Sequence, residues 1–153
     1  MIRKVLETVV VGLIFGMAGA SLALIVRGAS DVHSIGLAFL SSLLTAGIVW
    51  PLFVLGRHPP WWAICLIGSG IGLLSFPLFF YLMFESLWVM QQLGWWKVGP
   101  AGPALGPLAA VEGALLYTLI AWIIFGIPTV ALGSAAGLLA SLWRCWLSKP
   151  AVP

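Results

Sequence analysis

The sequence predicts an all-α, polytopic integral membrane protein whose four transmembrane helices form two tandem helical hairpins. Apolar residues make up 62% of the 153 residues and charged residues only 7%, whereas a soluble domain has roughly 25% charged residues. The mean hydropathy is +1.15. Four apolar segments reach the length of about 20 residues that a helix needs to cross the ~30 Å hydrocarbon core. Helix is expected because strands that are not closed into a barrel would leave backbone groups unpaired in lipid.

The four spans and their connections make up a single transmembrane domain, residues 1–153. We predict spans at about 5–26, 35–55, 61–84 and 113–132, an outer loop at 85–112, and a C-terminal segment 133–147 that extends the last helix or lies along the inner membrane surface. The outer loop contains GPAGPALGP, which is incompatible with regular helix. A five-span alternative places a turn at 126–128 and a last span at 128–147.

An approximate internal repeat suggests the two hairpins. Segments 36–56 and 113–133 both begin and end with glycine, and each has a proline fifteen positions after its first residue. The segments that precede them also correspond, because Gly12, Gly16 and Gly19 have the spacing of Gly68, Gly72 and Ser75.

The distribution of cations predicts the orientation. Placing both termini in the cytoplasm puts Arg3, Lys4, Arg57, Arg144 and Lys149 inside and only Arg27 and Lys97 outside. An excess of cations on the cytoplasmic side is the usual arrangement. We therefore expect a multi-pass protein of the cell membrane, with a bacterial inner membrane as the setting. Cations scattered between apolar spans form no basic patch, so no nucleic-acid partner is expected.

Small residues recur at spacings that allow membrane helices to approach closely. The predicted helix-packing positions are Gly12, Gly16, Gly19, Gly68, Gly72, Gly133 and Gly137. They could pack helices within this chain or against another subunit, so a homo-oligomer is possible.

Charged residues gather near the predicted outer boundary. The expected cluster consists of Arg27, Asp31, Glu85, Lys97 and Glu112. Glu112 opens a predicted helix, where the helix dipole favours an acid, whereas Glu85 closes one and should require a cation such as Arg27 or Lys97. Near the inner boundary, Glu7 can pair with Arg3 at i, i+4.

No catalytic, cofactor or metal site is predicted. His33 and His58 bracket the second span and would lie about 37 Å apart at the helical rise of 1.5 Å per residue, too far to share a metal or haem. The hydroxyl residues within the spans have no nearby base, and G-x-S-x-G and H-E-x-x-H motifs are absent from the sequence. We therefore expect a protein that is not an enzyme and has no cofactor of its own.

The sequence favours a small non-catalytic accessory subunit of a larger membrane complex. Its partners would be the lipid bilayer and other membrane subunits, with lipid or pigment held against its apolar surface. The alternative is a small homo-oligomeric transporter or channel in which helices kinked at Pro77 and Pro128 line the path.

Overall fold

The computed structural model describes residues 2–27, 31–55, 57–95 and 103–148, with side chains for all of these except 2, 3, 27, 147 and 148. These residues are all-helical in their regular structure. The helices are α1 Ile2–Arg27, α2 Val32–Phe53, α3 Trp61–Gln92 and α4 Pro107–Ser148. Each of the four is long and apolar enough to cross a membrane.

Local sequence explains where several helices begin and end. The Asp31 side chain accepts a hydrogen bond of 3.1 Å from the Ser34 backbone N–H and so caps the start of α2. Pro60 precedes α3, and Pro107 occupies the first position of α4, where its missing N–H costs no helical bond. Gly94 follows α3 with φ +72°, the left-handed conformation that commonly ends a helix.

Two helix boundaries differ from the sequence-based expectation. Helix α3 continues to Gln92 and α4 begins at Pro107, so both helices take up parts of the segment 85–112 that was predicted as a loop. The reason is local: residues 85–92 contain neither glycine nor proline. The turn of the five-span alternative is also not found, because α4 runs without interruption through residues 126–128.

The helices pack mainly with their neighbours in sequence. Contacts are most extensive between α3 and α4 and between α1 and α2, fewer between α2 and α3, and sparse between α1 and α3. The buried core includes Val11 and Phe15 of α1, Trp50 of α2 and Ile71 of α3. Most large apolar side chains outside this core point away from the bundle.

Pro77 in α3 leaves one backbone carbonyl without its helical donor, and a side chain of α4 supplies a hydrogen bond in its place. Because Pro77 has no N–H, the carbonyl of Leu73 loses its helical donor. The indole Nε1 of Trp122 donates to this carbonyl oxygen at 3.1 Å. The break in α3 is thus compensated from the neighbouring helix.

Candidate functional site

The contact between α3 and α4 is a glycine seam, formed by Gly68, Gly72, Gly133 and Gly137. A methyl group added at Gly68 would collide with the carbonyl oxygen of Gly133, and one added at Gly133 would lie 2.5 Å from the carbonyl oxygen of Gly68. At Gly137 it would lie 2.9 Å from the carbonyl oxygen of Ile64. The two backbones are therefore in direct contact along the seam.

A hydroxyl pair crosses the same seam. Ser69 Oγ of α3 and Ser134 Oγ of α4 lie 2.8 Å apart. Ser69 also donates to the carbonyl oxygen of Cys65 at 2.8 Å. This pair satisfies two half-buried polar groups within the protein, and it adds an interhelical hydrogen bond to the close backbone contact.

The glycines of α1 face α2, and their contacts are mostly with side chains. A methyl group at Gly16 would lie 2.8 Å from the Phe39 ring, and one at Gly12 would lie at an ordinary 3.5 Å from Leu43. Gly19 is the tightest position, because a methyl group there would meet the Ser42 hydroxyl and lie 2.7 Å from the carbonyl oxygen of Ala38. All seven predicted packing glycines thus lie against another helix of the same chain, though the closeness of approach varies.

Glycines at corresponding positions of the internal repeat do not make equivalent contacts. Gly36 has no other residue's atom within 4 Å of an added methyl group, whereas its counterpart Gly113 has Leu105 at 3.1 Å and Phe84 at 3.2 Å. Gly16 meets a ring, whereas its counterpart Gly72 meets Thr129 at 3.0 Å. Glycines at corresponding positions of the two helix pairs therefore occupy different environments.

A charged cluster of Glu7, Trp50 and Arg144 joins three helices at one end of the bundle. Glu7 is only 8% exposed. Trp50 Nε1 donates to Glu7 Oε1 at 3.3 Å, and Arg144 Nε lies 3.5 Å from the same oxygen. Arg144 also donates to the carbonyl oxygen of Val54, just beyond the end of α2, at 3.1 Å. The cation is well placed there, because the last carbonyls of a helix carry partial negative charge.

The sequence did not reveal the partners of Glu7. It suggested Arg3, whose side chain lies outside the described residues. The available signal was that Glu7 and Arg144 were both assigned to the inner membrane boundary, so opposite charges from α1 and α4 were expected at one level. The fully buried Trp50 gave no such signal, because a tryptophan near a helix end is usually interpreted as an interfacial residue.

Only part of the predicted outer charge cluster lies within the described residues. Asp31 caps α2, Glu112 is exposed, and the side chains of Arg27 and Lys97 lie outside the described residues. Glu85 is half-buried, and its Oε1 has no hydrogen-bond partner among the described residues. His33, on α2, lies with Nε2 3.0 Å from Ser86 Oγ of α3. The described residues thus supply no cation for Glu85.

A cavity of about 130 Å³ lies among the four helices. Its walls are mainly phenylalanine rings and small residues, with hydroxyls at Ser34, Ser41, Ser42, Ser75 and Thr129. Neither Glu85 nor Glu112 contributes to the wall. The arrangement provides an apolar binding space with a few polar groups and no charge.

The described residues bring together no group of three histidine, cysteine or acidic side chains that could hold a metal ion. Comparisons with protein-family models, with curated protein sequences and with solved structures find no significant match.

Proposed function

We propose that this chain is a multi-pass membrane protein, with two helical hairpins and both termini in the cytoplasm, that acts as a small non-catalytic accessory subunit of a larger membrane complex. The observation that supports this most strongly is the outer side of α4. Large apolar residues on α4 are exposed along nearly its whole length, among them Leu108 at 88%, Ile127 at 88% and Leu142 at 66%.

The length of this exposed side exceeds what lipid tails can cover. Leu108 and Leu142 are 34 residues apart, which is about 51 Å along a helix. At the usual tilt of about 20° this distance projects to roughly 48 Å, compared with a hydrocarbon core of about 30 Å. Apolar side chains at the ends of α4 would therefore extend beyond the lipid tails. Contact with another protein would keep them from water.

The first two helices fit the bilayer without such help. Helices α1 and α2 have 26 and 22 residues, or about 39 and 33 Å. A partner that covers α4 would leave the outward faces of α1 and α2 in contact with lipid. We therefore assign the interface with other subunits to α4.

Polar side chains in the spans also support a structural role. Thr45 and Thr118 donate to carbonyl oxygens of their own helices at 2.8 and 2.6 Å, and Ser21 does the same at 2.8 Å. Hydroxyls that are satisfied in this way do not offer a continuous polar path to a hydrophilic substrate.

The second candidate is the homo-oligomeric transporter or channel. One observation favours it: Phe76 and Thr129, which adjoin Pro77 and Pro128, both line the central cavity. It ranks below the subunit proposal because the cavity wall is predominantly apolar and no glutamate faces it.

Native mass spectrometry of the protein, extracted from its own membrane in mild detergent, tests the proposal. We expect a complex with different subunits at fixed stoichiometry. A homo-oligomer of this chain alone would contradict the subunit proposal and support the transporter or channel. In that case flux through the oligomer would be measured next, with Glu85→Gln and Glu112→Gln as comparison variants.

Site-specific photo-crosslinking locates the interface. A crosslinking residue at Leu108 or Ile127 of α4 should form adducts with the same partner subunit that mass spectrometry identifies. The matched control is Ile48 of α2, which is 63% exposed and should react only with lipid. Lipid adducts alone at all three positions would refute the assignment to α4.

A further inference from the structure

The central cavity has the length and the position of a binding site for one lipid chain. We propose that it holds one acyl chain of a membrane phospholipid, from the leaflet on the side where α2 begins, and that the Ser34 hydroxyl donates a hydrogen bond to the ester carbonyl of that chain. The accessory-subunit role does not require this site, so the two proposals stand or fall separately.

The cavity is as long as one leaflet is deep. Its wall on α1 runs from Phe15, at the middle of that helix, to Val26, next to its last residue. These 11 residues cover about 16 Å, compared with about 15 Å for half of the hydrocarbon core. The end at mid-bundle is closed, since Phe15 and Thr129 are only 2% and 4% exposed. A chain that enters from the other end would therefore stop near the middle of the membrane.

The mouth of the cavity lies near Ser34. The side chains of His33 on α2 and Ser86 on α3 are in contact, so these residues are at one level in the antiparallel pair. The wall on α3 extends only as far as Phe80, six residues before Ser86 and hence about 9 Å deeper. At the level of Ser34 the cavity is thus open on the side of α3, and the neighbouring wall residue Val26 is 44% exposed.

The walls are suited to an alkyl chain. The side formed by α1 and α2 contains small residues, Ala18, Gly19, Ala23 and Ala38, and phenylalanine rings of α3 and α4 face them. The small side chains create the space, and the described wall residues carry no charge. Acyl chains are the molecules that surround such a cavity in a bilayer. An empty cavity would lose dispersion contacts along its whole wall, so a chain that fills it is favoured.

Ser34 supplies the polar contact at the mouth. Its side chain is 4% exposed, and its hydroxyl has no hydrogen-bond partner among the described residues, since Asp31 accepts only from its backbone N–H. The Thr129 Oγ1 is sealed within the protein, whereas the Ser34 Oγ retains accessible surface. Ser41 and Ser75 donate to carbonyl oxygens of their own helices. A buried hydroxyl without a partner is unfavourable, and an ester carbonyl at the mouth would remove that cost.

Ser34 is also at the depth of lipid ester groups. It lies in the first turn of α2, next to the cap formed by Asp31. Because α2 is about 33 Å long and the hydrocarbon core about 30 Å thick, this turn lies at the boundary between tails and headgroups. Ser42, whose hydroxyl also has no partner among the described residues, lies eight residues deeper and packs against Gly19 in the contact between α1 and α2. The ester is therefore assigned to Ser34.

The test is a native mass spectrometry titration of the purified, delipidated full chain with dipalmitoyl phosphatidylcholine and with its ether-linked dihexadecyl analogue, which lacks the ester carbonyls. We expect one phospholipid to remain bound under detergent conditions that remove all others. The ester form should bind about fivefold more tightly, the effect of one net hydrogen bond. Ser34→Ala should abolish this preference. Ser21→Ala should preserve it, because the Ser21 hydroxyl bonds to the Met17 carbonyl outside the cavity wall.

A steric variant tests where the chain lies. Ala23→Leu places a larger side chain in the wall and should abolish retention of both probes. Ala20→Leu is the matched control, because Ala20 is a half-buried residue of the same helix outside the wall. If Ala23→Leu does not fold, the comparison of Ser34→Ala with Ser21→Ala still decides the question.

Photo-labelling gives an independent measure of depth. A phospholipid with a diazirine at the end of one acyl chain should label wall residues at mid-bundle, such as Phe15 or Thr129. Labels confined to the outward faces of the helices would contradict a chain inside the cavity. Loss of all lipid on delipidation, equal affinity for the ester and ether probes, or an unchanged preference in Ser34→Ala would overturn the proposal. Tighter binding of a polyprenyl lipid than of phosphatidylcholine would overturn the assignment to an acyl chain.

Discussion

The two helix pairs of this protein pack by different means. Helices α3 and α4 touch backbone to backbone at Gly68 and Gly133, and Ser69 and Ser134 bond across the same contact. Helices α1 and α2 meet through a side chain at Gly16, which faces the Phe39 ring, and approach a backbone at Gly19, where an added methyl group would lie 2.7 Å from the carbonyl oxygen of Ala38. A side chain can rotate to relieve a collision, whereas two backbones in contact can separate only by moving whole helices.

The pairs also differ in how they are tied to the rest of the bundle. The charged cluster links α1, through Glu7, to Trp50 of α2 and Arg144 of α4. The central cavity lies where the same two pairs meet. The α3–α4 pair is thus held by direct backbone contact, while its union with α1–α2 combines a shared apolar core with this cluster and leaves a cavity between the pairs.

The largest expected effect comes from breaking the α3–α4 contact. Gly133→Ala should destabilise the folded protein by about 3 kcal/mol, because its methyl group meets a backbone carbonyl and neither helix can yield locally. Unfolding in detergent micelles, followed by circular dichroism, measures this effect. Gly70→Ala is the control, since no other residue's atom lies within 4 Å of the added methyl group. Equal stability of the two variants would show that the seam is not tightly packed.

Removing one member of the charged cluster should have the next largest effect. Glu7→Gln is expected to cost about 2 kcal/mol, less than the 3–5 kcal/mol of a fully buried pair, because the Arg144 side chain is 21% exposed and can reach water or headgroups. A double-mutant cycle with Arg144→Met measures the coupling between the two side chains. Strictly additive losses would mean that the ion pair does not join the helix pairs.

Gly16→Ala tests the softer contact between α1 and α2. We expect a loss of about 1 kcal/mol, at the low end of the range for overpacking, since the Phe39 ring can shift. The control is Gly36→Ala, which has open space and should leave stability unchanged or raise it slightly. A loss at Gly16 as large as that at Gly133 would remove the distinction between the two pairs.

The smallest effect is expected from removing the hydrogen bond by which Trp122 of α4 compensates for Pro77 of α3. Trp122→Phe removes the donor to the Leu73 carbonyl and should cost about 0.5 kcal/mol, the low end of the range for one hydrogen bond. Trp62→Phe is the control, because Trp62 is 55% exposed and its ring size changes in the same way. The same micelle unfolding experiment applies, and a difference of zero between the variants would show that Trp122 does not compensate for Pro77.

Particular residues show why prediction from sequence succeeded in some places and failed in others. Helix type followed from long apolar runs, which are a local signal. Helix α3 continues eight residues beyond the predicted end of its span, because the apolar signal weakens near Glu85 while helical geometry continues to Gln92. The partners of Glu7 were missed because they are 43 and 137 residues away in sequence.

The sequence by itself determined that the chain is helical, apolar and divided into four segments long enough to span a membrane. These properties depend on composition and on the periodic placement of glycine and proline, which act over a few residues. Only the tertiary structure decided that Gly68 meets Gly133, that Glu7 meets Trp50 and Arg144, and that Thr129 borders a cavity without a hydrogen-bond partner among the described residues. These contacts depend on how the helices are tilted and offset against one another, which a nearly uniform apolar surface does not specify.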